Sequence, residues 1–199
     1  MSSLPQPQLV VIAGPNGAGK STIARRLLPE RLGVLTYVNA DDIARGLAAY
    51  RPESVAFEAG RIMLAWMKDL AARREDFAFE TTLSGRGYAS WIRELQQAGY
   101  RFHLQFVALP SSDMAVERVK RRVLLGGHHV PDADIRRRYS RGLHNFFELY
   151  MPLADSWTLF DNSTSAGPRI VAHSERHQEP TLLESNVWQD YWERGHGTN

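Results

Sequence analysis

The sequence predicts an α/β fold: a doubly wound, mostly parallel sheet with helices on both faces. Two observations predict it. Short apolar, β-branched runs alternate with longer stretches of helical periodicity along the chain, the order of successive βαβ units. The first run, "QLVVIA" at 8–13, passes directly into "GPNGAGKS" at 14–21 and then into a helical stretch, and a glycine loop between strand and helix is built to receive phosphate.

The elements follow in order. Residues 8–13 read as a buried strand stopped by Gly-Pro, and "KSTIARRLLPE" as a helix ended near Pro29. "GVLTYVN" (33–39) reads as a second strand, and "ADDIARGLAAY" opens a helix with acids in its first turn, where the dipole favours them. Residues 52–74 carry apolar side chains at helical spacing, "DFAFE" (76–80) is a third strand, and 88–99 is a helix closed by Gly99. Residues 100–109 make the fourth strand. A helix at 112–125 is interrupted by Gly126-Gly127, and a long one resumes over 131–154 with Pro131 at its first turn. Residues 155–163 and 168–174 supply the last strands, and 181–195 a terminal helix packing Trp188 and Trp192.

The bulk numbers agree with a globular protein. The 199 residues suit one domain, and 43% apolar with 23% charged is an ordinary balance. Residues 1–7 read as a short disordered leader that lacks the layout of a signal peptide, and 8–199 as one domain. No apolar run approaches the ~20 residues of a membrane helix. The absence of cysteine excludes disulfides and argues against structural zinc. A cytoplasmic protein without a membrane partner is the expectation.

A net charge of +2 does not advertise nucleic-acid binding, but the charge is uneven. Arg118, Lys120, Arg121, Arg122, Arg136, Arg137, Arg138 and Arg141 crowd one stretch, opposed there only by Asp132 and Asp134. Beside a phosphate loop such a cluster is a candidate anion clamp.

Gly14-Pro15-Asn16-Gly17-Ala18-Gly19-Lys20-Ser21 satisfies G-x-x-x-x-G-K-[ST] in full. Its glycines let backbone N–H groups turn inward around phosphate oxygens, and the helix that follows adds its positive end. Lys20 reaches the β- and γ-phosphates and the Ser21 hydroxyl ligates Mg²⁺ in such a loop, with Thr22 next to it. The expected fold is therefore a P-loop NTPase and the expected ligands are ATP and Mg²⁺. No N-K-x-D segment reads a guanine base. "LSG" at 83–85 continues as Arg86-Gly87, unlike a transporter signature. A small-molecule kinase with a basic helical lid at about 118–141 fits better.

The phosphate loop, "VNADDIA" (38–44), "FETTLSG" (79–85) and "RVKRRVLLGGHHVP" followed by "IRRRYSR" together resemble the zeta toxin family and its zeta-toxin-like bacterial relatives. The motifs fall in family order over residues 8 to about 163. The resemblance implies a P-loop kinase that phosphorylates a sugar hydroxyl of UDP-N-acetylglucosamine, or of a similar small acceptor. It also brings an antitoxin protein as a partner to look for.

Phosphoryl transfer needs an in-line hydroxyl, a group to take its proton and positive charge on the γ-phosphoryl oxygens. The zeta pattern places its catalytic aspartate two residues after a polar residue at the strand end, so Asn39 points to Asp41 as the base. Asp42 remains its rival. Glu80 matches the family's strand-end glutamate, near substrate and metal, and Thr82 matches a substrate contact. Arg118 aligns with the arginine of an "E-R" pair, and Arg122 shares its helix face four residues on. Where the family carries a second lid arginine this chain has "GGHHVP", with His128 or His129 near that place, and Arg122 is the candidate substitute. Gly126-Gly127 would hinge the lid. Arg138 is added as a substrate contact and Asn162 as a neighbour of the adenine. The acceptor pocket is expected between 43–75 and 84–95. Two rival functions are a nucleic-acid end kinase, disfavoured by charge and composition, and a non-catalytic ATP-binding module, which would need neither Asp41 nor Glu80.

Overall fold

One sheet of seven strands runs through the described residues of the computed structural model, which are 6–176 and 178–197. The middle of its parallel part is β1 (Gln8–Ala13), flanked by β3 (Phe77–Thr81) and β4 (Arg101–Ala108). Outside these lie β2 (Tyr37–Val38), next to β3, and β5 (Ser156–Asp161), next to β4, and all five are parallel. Two more strands, β6 (Arg169–Glu175) and β7 (Thr181–Leu182), extend the β5 edge antiparallel. The α/β architecture is thus the expected one, with a P-loop NTPase core.

Alternation along the strands builds two apolar layers. Leu9, Val11, Phe77, Phe79, Phe102 and Leu104 turn to one face. There they meet Met63 and Met67 of α3 (Ala56–Ala72), Ile92 of α4 (Tyr88–Gln97) and Tyr191 of α7 (Ser185–His196). Val10, Ile12 and Ala78 face the other way, onto Ala24 of α1 (Lys20–Leu27). Nearby, Val107 packs with Val119 of α5 (Ser112–Leu124) and Ile135 of α6 (Asp132–Asn145). Trp188 stacks on Trp157 at 5.6 Å and Trp192 meets Phe147 at 5.2 Å, so the two tryptophans anchor α7 as expected.

Several boundaries differ from the sequence reading, for local reasons. The expected leader falls on residues 1–5, outside the described residues, up to its end; there Pro7 is buried and its carbonyl accepts from Arg101 N–H. The strand expected over 33–39 shrinks to Tyr37–Val38. Pro29 sits in a wide π turn after α1, and Gly33, in the left-handed region, closes that turn and leaves Leu35 in solvent. The helix expected over 52–74 opens with a 3₁₀ turn, Pro52–Val55. The long helix over 131–154 is regular only to Asn145, then widens into a π turn and ends in a 3₁₀ turn holding Pro152. The terminal helix starts at Ser185, because Thr181–Leu182 pair with β6 instead.

Segment 82–85, which leaves the carboxyl end of β3, is clamped by α6. Asn145 Nδ2 donates to the Leu83 carbonyl (2.8 Å), and Gly142 lies so close that an added Cβ would run into the Thr82 carbonyl. Both partners in that clash are backbone, so neither yields cheaply. Gly142→Ala is expected to lower unfolding stability by about 1–3 kcal/mol, read by urea denaturation against the wild type.

Candidate active site

The carboxyl ends of β1, β2 and β3 converge on one edge of the sheet, where ligands of open α/β sheets bind. At β1 the chain enters the phosphate loop. Gly14, Pro15 and Ala18 are buried, Ala18 N–H donates to the Pro15 carbonyl (3.2 Å), and Gly19 caps α1. No acid stands in the first turn of α1, so the positive end of that helix is left for an anion. Lys20, 7% exposed, curls back: its Nζ donates to the Pro15 carbonyl at 3.0 Å and pairs with Glu80 Oε1 at 3.5 Å. Ser21 Oγ donates to Glu80 Oε2 at 2.8 Å. Thr22 is exposed beside them.

Glu80 is the hub of the site. Besides Lys20 and Ser21 it accepts from Tyr37 Oη (2.5 Å) and Asn39 Nδ2 (3.1 Å), so loop, β2 and β3 are tied through one carboxylate. Tyr37 was not expected here. Its burial, and then the Glu80 charge, push its phenol pKa far up, so it serves as a fixed neutral donor. The signal available in the sequence was parity: Tyr37 and Asn39 are two apart and share a face of the chain.

Asn39 does a second task. Its Oδ1 accepts the Asp41 N–H (2.8 Å), capping α2 (Ala40–Leu47) and fixing where Asp41 emerges. Asp41 then faces an open cavity, whereas Asp42 pairs with Arg45 at 3.2 Å on the surface. The two rivals thus differ in surroundings: Asp41 lines the cavity and Asp42 is engaged by Arg45.

The basic stretch divides in the same way. Lys120 pairs with Asp132 (2.8 Å), Arg136 with Asp113 (2.6 Å) and Arg137 with Asp134 (2.6 Å), all at the surface. Arg118 and Arg122 are half-buried. Arg118 packs on the loop, with its Cβ where a Cβ on Gly17 would come to 3.1 Å, and its Nη2 donates to the Ser163 carbonyl (3.4 Å). Arg122 Nη2 donates to the His128 carbonyl (2.8 Å) and holds the turn between α5 and α6. Arg138 lies one turn before Gly142 on the α6 face that meets Thr82, and Arg141 is exposed.

A cavity of about 520 Å³ opens beside Asp41. Arg45, Tyr50 and Glu53 line one wall, as expected from the 43–75 stretch. The other wall is the turn between α5 and α6, Arg122 to His129. The two stretches expected to enclose the acceptor, 43–75 and 84–95, do meet around a second cavity of about 530 Å³, lined by Leu64, Met67 and Lys68 on one side and Tyr88, Trp91 and Glu94 on the other. Thr82 is held by Ser84, their hydroxyls 2.9 Å apart, and Asn162 spends its amide on the Ala18 carbonyl (2.8 Å). Two buried polar atoms have no partner among the described residues, Asn16 Oδ1 and Arg122 Nε, and both belong to this region.

The donor set suits Mg²⁺. Ser21 Oγ and a Glu80 oxygen are adjacent hard ligands, and the described residues hold no cluster of three His, Asp or Glu side chains that would cage a metal alone. Mg²⁺ takes few protein ligands and completes its shell with water and phosphate oxygens. No helix among the described residues is long and apolar enough to cross a membrane.

Comparison with known proteins places this arrangement. In sequence, an uncharacterized protein of Haemophilus influenzae is 25% identical over 134 residues, 67% of this chain and 94% of the relative. In structure, the crystal structure of AvrRxo1-ORF1:-ORF2 with ATP superposes with a TM-score of 0.76 at 16% identity, covering 98% of this chain. This chain spans only 66% of that one. A structure from the PezAT chromosomal toxin–antitoxin system of Streptococcus pneumoniae superposes with a TM-score of 0.63 at 16% identity, covering 97% of this chain and 87% of that one. The zeta toxin family model matches residues 1–150, and on that match, with the phosphate loop and the Glu80 hub in place, the chain belongs to the zeta toxin family.

Proposed function

We propose that the protein transfers the γ-phosphoryl group of ATP to a hydroxyl of a nucleotide sugar, UDP-N-acetylglucosamine or a close relative. One observation carries the reading: Asp41, fixed by Asn39 beside the loop, faces a cavity whose walls also hold Arg45, Arg122 and His128. An acid next to a hydroxyl and cations next to phosphates suit an acceptor that carries both. Membership of the zeta toxin family supports phosphotransferase chemistry. The likeness to AvrRxo1-ORF1, seen with ATP, supports the donor, and that to the PezAT system supports an antitoxin as partner.

In this reading the loop N–H groups and Lys20 hold the β- and γ-phosphates, and Arg118 lies along the loop to meet charge on the transferring group. Asp41 orients the acceptor hydroxyl and takes its proton as the oxygen bonds to the γ-phosphorus and the bond to the β-phosphate oxygen breaks, releasing ADP. Ser21 and Glu80 would hold Mg²⁺, which neutralises phosphate charge when bound. The α5–α6 turn, with Gly126 and Gly127 at its apex, excludes water by closing on the cavity.

The test is ATP consumption with Mg²⁺ across UDP-sugars, nucleosides and RNA 5′ ends, beside Asp41→Asn. A UDP-sugar is expected to stimulate turnover, and Asp41→Asn to reduce it at least about 10²-fold. Stimulation by RNA ends alone would overturn the acceptor, and equal turnover in the variant would overturn the base.

A further inference from the structure

Residues 151–197 lie beyond the family match, yet one of them, Asn162, reaches the phosphate loop. At the carboxyl end of β5, Asn162 N–H donates to the Ala108 carbonyl at the end of β4 (3.1 Å), and its side-chain amide crosses to Ala18. The fit is close: a Cβ on Gly19 would stand 2.7 Å from Asn162 Nδ2. The next residue, Ser163, offers its carbonyl to Arg118. Segment 161–163 thus touches both the loop that holds phosphate and the arginine placed to meet it.

That segment is in turn held from behind. Asp161, 2% exposed, accepts from Tyr191 Oη (2.7 Å) through one oxygen, and from Ser163 Oγ (2.7 Å) and Arg169 Nε (3.1 Å) through the other. Arg169 continues to Glu184 at 3.5 Å, the residue before α7. Two of these bonds, from Tyr191 and Arg169, fix the place of 161–163 against α7 and β6, and the third, from Ser163, closes the segment on itself. Burial, and then the Asp161 carboxylate, push the Tyr191 phenol pKa far up, so Tyr191 stays a neutral donor at any working pH.

We infer that Tyr191 is a positioning residue for the nucleotide site: through Asp161 it sets Asn162 against the Ala18 carbonyl, and so sets the shape in which the loop meets the phosphates of a nucleoside di- or triphosphate. Tyr191 itself touches no ligand in this scheme. Removing its hydroxyl leaves Asp161 a buried carboxylate one donor short, and the segment relaxes toward whatever donor it finds. Relaxation moves Asn162 off Ala18 and the Ser163 carbonyl off Arg118. The inference rests on the ATP-site reading of the loop but not on the acceptor.

The experiment is calorimetric titration of the intact protein with Mg-ADP, which needs no acceptor, so a wrong acceptor assignment leaves it unaffected. It compares Tyr191→Phe, Asn162→Ala and the double variant, at a temperature where circular dichroism shows each folded. Each single change is expected to weaken ADP binding about 5–10-fold, the loss of one buried hydrogen bond expressed as affinity. The double variant is expected to bind about as the Asn162→Ala single does, because one change acts through the other. A lowered melting temperature with ADP affinity unchanged in Tyr191→Phe would make the residue structural only and overturn the inference. Additive losses in the double variant would overturn the route through Asn162.

Discussion

Lys20→Ala is expected to lower ATP-dependent phosphoryl transfer by about 10³-fold while leaving the protein folded. The ammonium is 7% exposed and already faces the place where phosphate oxygens arrive, held by the Pro15 carbonyl and Glu80. Charge stabilisation in so dry a place is worth far more than in water, and Lys20 is the one cation paired with Glu80 among the described residues. Removal also leaves Glu80 uncompensated next to the incoming triphosphate, so affinity falls along with rate. Initial rates and ATP titration together check both. A variant that keeps wild-type turnover would remove the loop from the chemistry.

The second large effect belongs to Arg118. Arg118→Ala is expected to reduce kcat by about 10³-fold or more with a smaller change in the KM for ATP, because a charge that meets the transferring group acts chiefly in the transition state. Arg118→Lys should recover only part, since a point charge cannot replace the planar fork. Arg136→Ala is the control. Its pair with Asp113 is a surface ion pair, and turnover is expected to stay near wild type. Equal losses at Arg118 and Arg136 would mean that the basic stretch works through its summed field and not through one placed residue.

What the sequence disclosed follows the reach of each interaction. The phosphate loop was legible because all its demands are local: glycines, a lysine and a hydroxyl at fixed spacing between strand and helix. The preference for Asp41 over Asp42 rested on the family's spacing alone, and the Asn39 cap that fixes the start of α2 joins the two readings at one residue. Hidden were features settled between distant segments. Tyr37 matters because β2 lies beside β3, a neighbour relation that no window around residue 37 contains. The basic stretch read as one cluster until the α5–α6 hairpin brought Asp113 to Arg136 and Asp132 to Lys120. β7 escaped because two exposed residues on a sheet edge carry no periodicity.

Glu80 has a consequence for how the site fills. In the free protein it holds the lysine and the serine that a nucleotide would claim, one through each oxygen. The cationic loop is therefore never bare: it carries an internal stand-in for phosphate. Arrival of ATP is a trade of partners in which the carboxylate hands over Lys20 and Ser21 and keeps Tyr37 and Asn39. The affinity of such a site is a difference between two sets of contacts and not the sum of one.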